Sequence, residues 1–217
     1  MPPRARNNTR MRLKMRALSQ RVKEFQDCDS LLSVVDTKWH KKGDFSILET
    51  RNVQGDLADR CVELVRINMQ ESYDRHAGEW TWDTEKKHEE VTHKDTRVFV
   101  FFPTATDGDN GDVPCALLSV RAEVDEDCLE ARLYIWEIQV HPDYQRQGLG
   151  SHLMLLAEEL AKHFRLDSVT LTVFKDNEPA QRFYRRKLKY CTDVDDPSVV
   201  VPNRAHEFPH NLLTKHM

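Results

Sequence analysis

Residues 137–151 read EIQVHPDYQRQGLGS, and two kinds of chemistry are written there. The chain holds only seven glycines, and two of them, Gly148 and Gly150, stand just ahead of a leucine-rich helix pattern. The opening amides of a helix have no internal acceptor, and the helix dipole favours negative charge there. Glycine lets a phosphate approach those amides closely. The run Arg146, Gln147, Gly148, Leu149, Gly150, Ser151 is therefore an anion site. It is neither a dinucleotide fingerprint, which needs a third glycine in register, nor a P-loop, which needs Gly-Lys-Ser/Thr. The second feature is Glu137, a carboxylate inside the apolar run YIWEIQV. A buried carboxylate without a partner costs several kcal/mol, so Glu137 has either a partner or a task. A third pattern, HEEVTH (88–93), is not a zinc motif. Its histidines are five apart, about 140° around a helix, and cannot share one ion. No other Cys/His cluster offers a metal site.

These residues need elements to hold them. Leu13, Ala17, Leu18, Val22 and Phe25 recur at helical spacing, which predicts a helix over 11–27. DFSILETR (44–51) reads as a strand. Asp56 is placed to cap a helix over 57–73, with Leu57, Cys61, Leu64, Val65 and Asn68 on one side. GEWTW (78–82) is a loop, and 83–93 a short polar helix. Strands follow at 97–102, 115–124 and 130–141, the first two flanking a turn-rich insertion, PTATDGDNGDVP. The helix 150–164 buries Leu153, Leu156, Ala157, Leu160 and Phe164. A strand at 168–174 and a helix at 177–188 come next, the latter capped by Asn177 with Pro179 in its first turn. RAHEFPHNLL (204–213) is the last expected strand. A mostly antiparallel run of strands with helices over it makes the class α/β or α+β.

Composition sets limits. Charged residues are 31% of the chain and the net charge is −4. Residues 1–23 carry eight Lys or Arg and no acid, so the remaining residues carry −12. A basic arm over 1–30 thus precedes an acidic domain over 31–217, and the arm suits nuclear targeting or nucleosome attraction. It has only Phe25 as an aromatic, so it offers no stacking platform for nucleic acid. No run of about 18 apolar residues exists, and no apolar stretch follows the basic N-terminus, so neither a membrane span nor a secretory signal is expected. Five scattered cysteines read as reduced thiols of an intracellular protein.

The pattern [Q/R]-x-x-G-x-[G/A] after a long strand resembles the acetyl-CoA motif of the GNAT acetyltransferase superfamily, and TVFKDNEPAQRFY resembles that family's second half-site. INMQESYDRHAGEWTWDTEKKHEEVT narrows the resemblance to NatD-type N-terminal acetyltransferases, over Phe45 to Asp196. The resemblance implies a GNAT fold, a mixed, mostly antiparallel sheet of about seven strands flanked by helices. It implies acetyl-CoA as the acetyl donor, no metal, and acetylation of the α-amino group of histones H-four and H-two-A, whose tails begin Ser-Gly-Arg-Gly. A monomer without membrane contact, in nucleus and cytoplasm, is expected. By position, Ile138, Gln139, Val140, Arg146 to Ser151, Asn177 and Ala180 would hold the cofactor. Glu137, Tyr134 and Tyr184 would surround the reacting amine and thioester. Tyr73, Trp80, Trp136, Thr172 and Ser198 would contact the peptide, with Glu123, Val124 and Asp125 holding its N-terminal segment. Two residues apart on a strand, Glu123 and Asp125 share a face and can reach one cation. The chain departs from the family pattern at Trp136, where a tyrosine is usual, and at His206, in place of a C-terminal tyrosine. Other readings of the same residues are a GNAT enzyme acting on lysine or small amines, and a silent CoA-binding adaptor.

Overall fold

The structure, a computed structural model, describes residues 3–35, 45–51, 53–76, 80–104 and 113–217, with backbone alone for 3–8. The elements run α1 (Pro3–Asp27), β1 (Phe45–Thr50), α2 (Asp56–Arg75), α3 (Thr84–Thr92), β2 (Arg97–Pro103), β3 (Ala116–Asp125), β4 (Glu130–Val140), α4 (Leu149–His163), β5 (Ser168–Phe174), α5 (Glu178–Arg182), β6 (Cys191–Thr192), α6 (Pro197–Val200) and β7 (His210–His216). The strands form one seven-stranded sheet in the order β1-β2-β3-β4-β5-β7-β6. Only β4 and β5 pair in parallel; the other neighbours are antiparallel. This is the mixed α/β fold expected.

Helices cover both faces. Leu18, Val22 and Phe25 of α1 pack with Leu153, Leu156 and Leu160 of α4 over Leu118, Leu133 and Leu171 of the sheet. Phe25 meets Phe164 edge-on at 5.3 Å. The second half of α1 is therefore core. Its buried stripe begins at Leu18, whereas Leu13 is 62% exposed and Ala17 is exposed too. On the other face, Cys61, Leu64 and Val65 of α2 and Val91 of α3 cover Val98, Val100 and Leu117.

Some boundaries moved for local reasons. Asp56 is the first residue of α2, and Gly55 at φ 56° occupies the capping position without a side-chain bond. Asp83 does cap α3, accepting from the Lys86 amide. Asn177 caps α5, accepting from the Ala180 amide, and the helix then loosens into a π-turn over Phe183–Lys187. The expected C-terminal strand starts later, because Pro202–Glu207 form a 3-10 turn first. Most of the insertion after β2 lies outside the described residues. No helix among the described residues is long and apolar enough to cross a membrane.

Candidate active site

The parallel pairing of β4 and β5 lasts only from Arg132↔Ser168 to Ile135↔Leu171. At the point of parting, the Tyr134 hydroxyl and Thr172 Oγ1 lie 2.6 Å apart, a hydrogen bond across the fork. Beyond it the two strands enclose a cavity of about 610 Å³, walled by α2, α3, β3, β4, β5 and α5.

A bulge decides what faces that cavity. On β3, Ser119 pairs with Glu137 and Val120 with Ile135, so Trp136 is an extra residue in β4. Ile135 faces the core shared with α1 and α4, and so do Ile138 and Val140. The inserted residue thus switches the alternation. Glu137 and Gln139 turn to the α2–α3 side with Tyr134. A regular strand would have sent the Glu137 carboxylate to the same side as Ile135, into the hydrocarbon core.

On that side Glu137 is 7% exposed and fully partnered. Its Oε1 accepts from Lys87 Nζ at 2.9 Å, and its Oε2 from Gln139 Nε2 at 3.0 Å. Gln139 in turn accepts from Asn68 Nδ2 of α2 at 2.9 Å. Lys87 also donates to the Tyr73 hydroxyl and to Glu90, each at 2.8 Å. Burial works to lower the Lys87 pKa, but Glu137, Tyr73 and Glu90 overcome it and raise it, which favours the ammonium form. Tyr73 is pushed up to about 12 by burial and then by Glu137, against the pull of Lys87. Tyr184 is raised by burial and by Glu137, and Tyr134 by burial against its bond to Thr172. All three phenols stay protonated.

The glycine turn follows β4. Gly148 caps α4 in the left-handed region at φ 89°, and no side chain caps the helix. Arg146 is left-handed too, at φ 60°. The first bond of the helix runs from the His152 amide to the Gly148 carbonyl at 3.1 Å. The amides of Leu149, Gly150 and Ser151 therefore have no acceptor in their own helix. Lys187 adds a positive charge beside them, its Nζ 2.9 Å from Ser151 Oγ. On β4 the His141 amide bonds the Cys115 carbonyl at 2.9 Å. The alternation of an antiparallel ladder then directs the amides of Val140 and Ile138 away from β3, to the side that β5 has left.

The expected site residues divide. Tyr73, Trp80, Tyr134, Trp136, Glu137, Ile138, Gln139, Thr172, Asn177, Ala180 and Tyr184 all line the cavity. Trp80 is held against Phe174 at 5.6 Å and His210 at 4.6 Å, and Trp136 lies under the Arg121 guanidinium at 4.0 Å. Glu123 and Asp125 do meet on one cation, but it is the chain's own Arg132, at 2.8 Å from each. Asp125 also accepts from the amides of Asp127 and Cys128, which ties it to the hairpin turn. Val124 packs on the opposite face, against the core. Ser198 bonds Asp196 at the start of α6, and His206 is exposed in the 3-10 turn. None of these five is in the cavity wall. The histidines of HEEVTH go separate ways, His88 to Asp59 and His93 to Asp95. Among the described residues, Asp125, Cys128 and Asp195 are the only group of ligand type within reach of one point, and Arg132 already lies on its two carboxylates.

Sequence reasoning missed Lys87, Glu90 and Arg132, and placed Asn68 on one side of the 57–73 helix without giving it a task. For Lys87 a signal existed. It stands four residues before the buried Val91, on the inward stripe of α3, and a lysine there requires an acidic partner.

Residues 62–190, more than half of the chain, match the model of the Acetyltransferase (GNAT) family. An uncharacterized N-acetyltransferase, ycf52, of Gracilaria tenuistipitata var. liui is 39% identical over 62 residues, 28% of this chain. The match spans 31% of that relative's length. Arabidopsis thaliana NAA60, solved with a bisubstrate analogue, is similar in structure with a TM-score of 0.57 at 13% identity, covering 79% of this chain and 98% of its own. The paia N-acetyltransferase of Thermoplasma acidophilum, solved with coenzyme A, gives a TM-score of 0.53 at 15% identity, covering 79% and 99%. At these identities the likeness is one of fold.

Proposed function

Because the chain belongs to the Acetyltransferase (GNAT) family, we propose that it moves the acetyl group of acetyl-CoA onto the α-amino group of a peptide. We propose as that peptide the Ser-Gly-Arg-Gly start of histones H-four and H-two-A. The observation that carries the reading is the Glu137 carboxylate, turned by the Trp136 bulge into a cavity whose strand β4 runs on through a turn to an uncapped helix N-terminus. Acetyl-CoA supplies an activated acyl carbon and a diphosphate, and the residues present fit both. The amides of Leu149, Gly150 and Ser151, with Lys187 near, suit the diphosphate. The amides of Ile138 and Val140 suit the oxygen that gains charge as the amine adds.

The amine's proton goes to Glu137, directly or through one water. An α-amine has a pKa of about 7.7–8.0, so a weak base suffices, and holding the amine in place contributes alongside proton removal. Tyr184, kept protonated by burial, is the group that returns a proton to the departing sulfur. The acidic surroundings, −12 outside the first 23 residues, favour a peptide with a basic residue near its N-terminus. Here Arg132 sets a condition. A substrate arginine must share Glu123 and Asp125 with it, or take Asp195, 3.7 Å from the same guanidinium. The exposed Arg10, Arg12, Lys14 and Arg16 of α1 are the feature that supports work in the nucleus as well as the cytoplasm.

The test follows thiol release from acetyl-CoA with a Ser-Gly-Arg-Gly peptide, free or blocked at its N-terminus. Release with the free peptide alone supports this reading. Release with a blocked, lysine-bearing peptide assigns the site to side-chain amines, and release with neither removes the activity.

A further inference from the structure

An ammonium has three N–H donors, and all three on Lys87 are spent inside the protein, on Tyr73, Glu90 and Glu137. With its side chain 8% exposed, Lys87 has no donor left for a substrate. Bonded to two carboxylates, it is held in its ammonium form, which has no lone pair for a base or nucleophile. Yet it stands at the junction of α2, α3 and β4, bonded to Oε1 of the Glu137 carboxylate, and both residues line the cavity. Two carboxylates and one ammonium leave this cluster with a single negative charge, and a single negative charge matches one arriving amine, which is a cation below its own pKa.

We infer that Lys87 is a positioning residue which fixes the direction of the Glu137 carboxylate and sets the net charge of the amine site. This rests on the reading above that Glu137 receives the amine's proton. Gln139 holds the other carboxylate oxygen and is itself held by Asn68 of α2, so Glu137 is gripped directly from α3 and β4 and, through Gln139, from α2. The charged and titratable groups around the cluster are Tyr73 from α2, Glu90 from α3, with Lys86, Glu89 and His93 on the same cavity wall, Arg121 from β3, whose Nη2 is 2.8 Å from the Glu90 carbonyl, and Tyr134 and Tyr184, both raised by burial and in part by Glu137. Arg121 is committed to the α3 end and to the Trp136 ring, so Lys87 is the cation in hydrogen-bond contact with Glu137.

Removing the cation and removing the spare anion must act in opposite directions. In Lys87→Met, Glu90 and Glu137 face each other without their counterion. Both the carboxylate and a bound ammonium then hold a proton to higher pH. The acidic limb of kcat, which reports the enzyme–substrate complex, moves up by about one to three pH units, the usual effect of an opposite charge at this range. In Glu90→Gln, Glu137 keeps Lys87 to itself, and the limb moves down by at least about half a unit. A purely structural ion pair would lower activity in both variants without moving the limbs apart. The experiment measures kcat against pH, from 5.5 to 9.5, for the wild type and both variants with saturating acetyl-CoA and free peptide. Limbs displaced to opposite sides of the wild type establish the inference. Limbs that coincide in an active enzyme overturn it and leave the proposed function standing. An inactive wild type overturns both. Should Lys87→Met fail to fold, Glu90→Gln decides alone: an unmoved limb refutes the idea.

Discussion

The two glycines at the start of α4 are chemically alike and physically opposite, and one substitution separates them. Gly148 sits at φ 89°, a left-handed conformation that costs an L-residue with a Cβ about 1–2 kcal/mol. Gly150 is already inside α4, and a Cβ built there meets only Phe183 Cζ at 3.6 Å, an ordinary contact. Alanine at a helical glycine gains up to about 1 kcal/mol, and in the first turn about half of that is a reasonable expectation. For a domain of this size each kcal/mol moves Tm by about 2–4 °C. Gly148→Ala should therefore melt about 2–8 °C below the wild type, and Gly150→Ala about 1–2 °C above it. Ligand affinity should split as well. Relieving the strain at residue 148 rotates the amides that follow it, so Gly148→Ala should bind acetyl-CoA at least about tenfold more weakly, a loss of about 1.4 kcal/mol. Gly150→Ala leaves the amide directions intact and should bind within about threefold. Differential scanning calorimetry and isothermal titration with CoA read both quantities. A Gly148→Ala protein as stable as the wild type would refute the conformational argument. Equal losses of affinity in the two variants would show that bulk, not backbone direction, governs the site.

Glu137→Gln keeps the hydrogen-bonding shape but cannot take a proton, so kcat should fall by about 10²–10⁴; a rate within about threefold of wild type across pH dismisses Glu137 as the acceptor. Phe25→Ala removes a fully buried ring from beneath α1 and should cost about 3–5 kcal/mol in urea denaturation; less than about 1 kcal/mol would mean that α1 is not part of the core. For Asp125, burial alone would raise the carboxyl, but the Cys128 amide, the Arg132 guanidinium and the Asp127 amide outweigh it and hold the pKa below the usual range. A depressed carboxylate stabilises the fold above its unfolded pKa of about 3.9 and loses that contribution as pH falls through the folded value. Asp125→Asn should therefore lower the urea midpoint at pH 6 and flatten its decline below about pH 4; parallel curves for the two proteins would contradict the pairing.

How much of this was legible beforehand follows from the range of each interaction. The core faces of α4 and β5 and the Asn177 cap are set by residues within four positions of one another, and periodicity or capping chemistry reveals them. The open amides at residues 149–151 are local as well, since a glycine with nothing able to cap it precedes a strong apolar stripe. Other features belong to pairs of elements. The Lys87–Glu137 contact spans 50 positions, and only the awkwardness of each charge on its own element hinted at a partner. Glu123 and Asp125 were rightly placed on one face, but the nearest cation came from the facing strand, at Arg132, which single-strand reasoning does not see.

The bulge at Trp136 shows why the site could be guessed by residue type and not by geometry. Strict alternation along YIWEIQV would group Glu137 with Ile135 and Leu133, a placement that water-to-hydrocarbon transfer forbids. The sequence therefore contains a contradiction, and two resolutions exist: a partner buried in the core, or a break in the alternation. The fold takes the second at the residue before the glutamate. The same extra residue sends Ile138 and Val140 back into the core, and their amides to the open side of β4. One irregularity thus aims the carboxylate and fixes the two backbone donors together. Deleting Trp136 should remove the bulge without turning the glutamate: Ile135 and Glu137 become neighbours opposite Val120 and Ser119, their present partners, and Glu137 stays on the cavity side. A folded deletion variant that had lost the Lys87 contact, read as a loss of several kcal/mol in urea denaturation, would show that the extra residue does not govern the alternation.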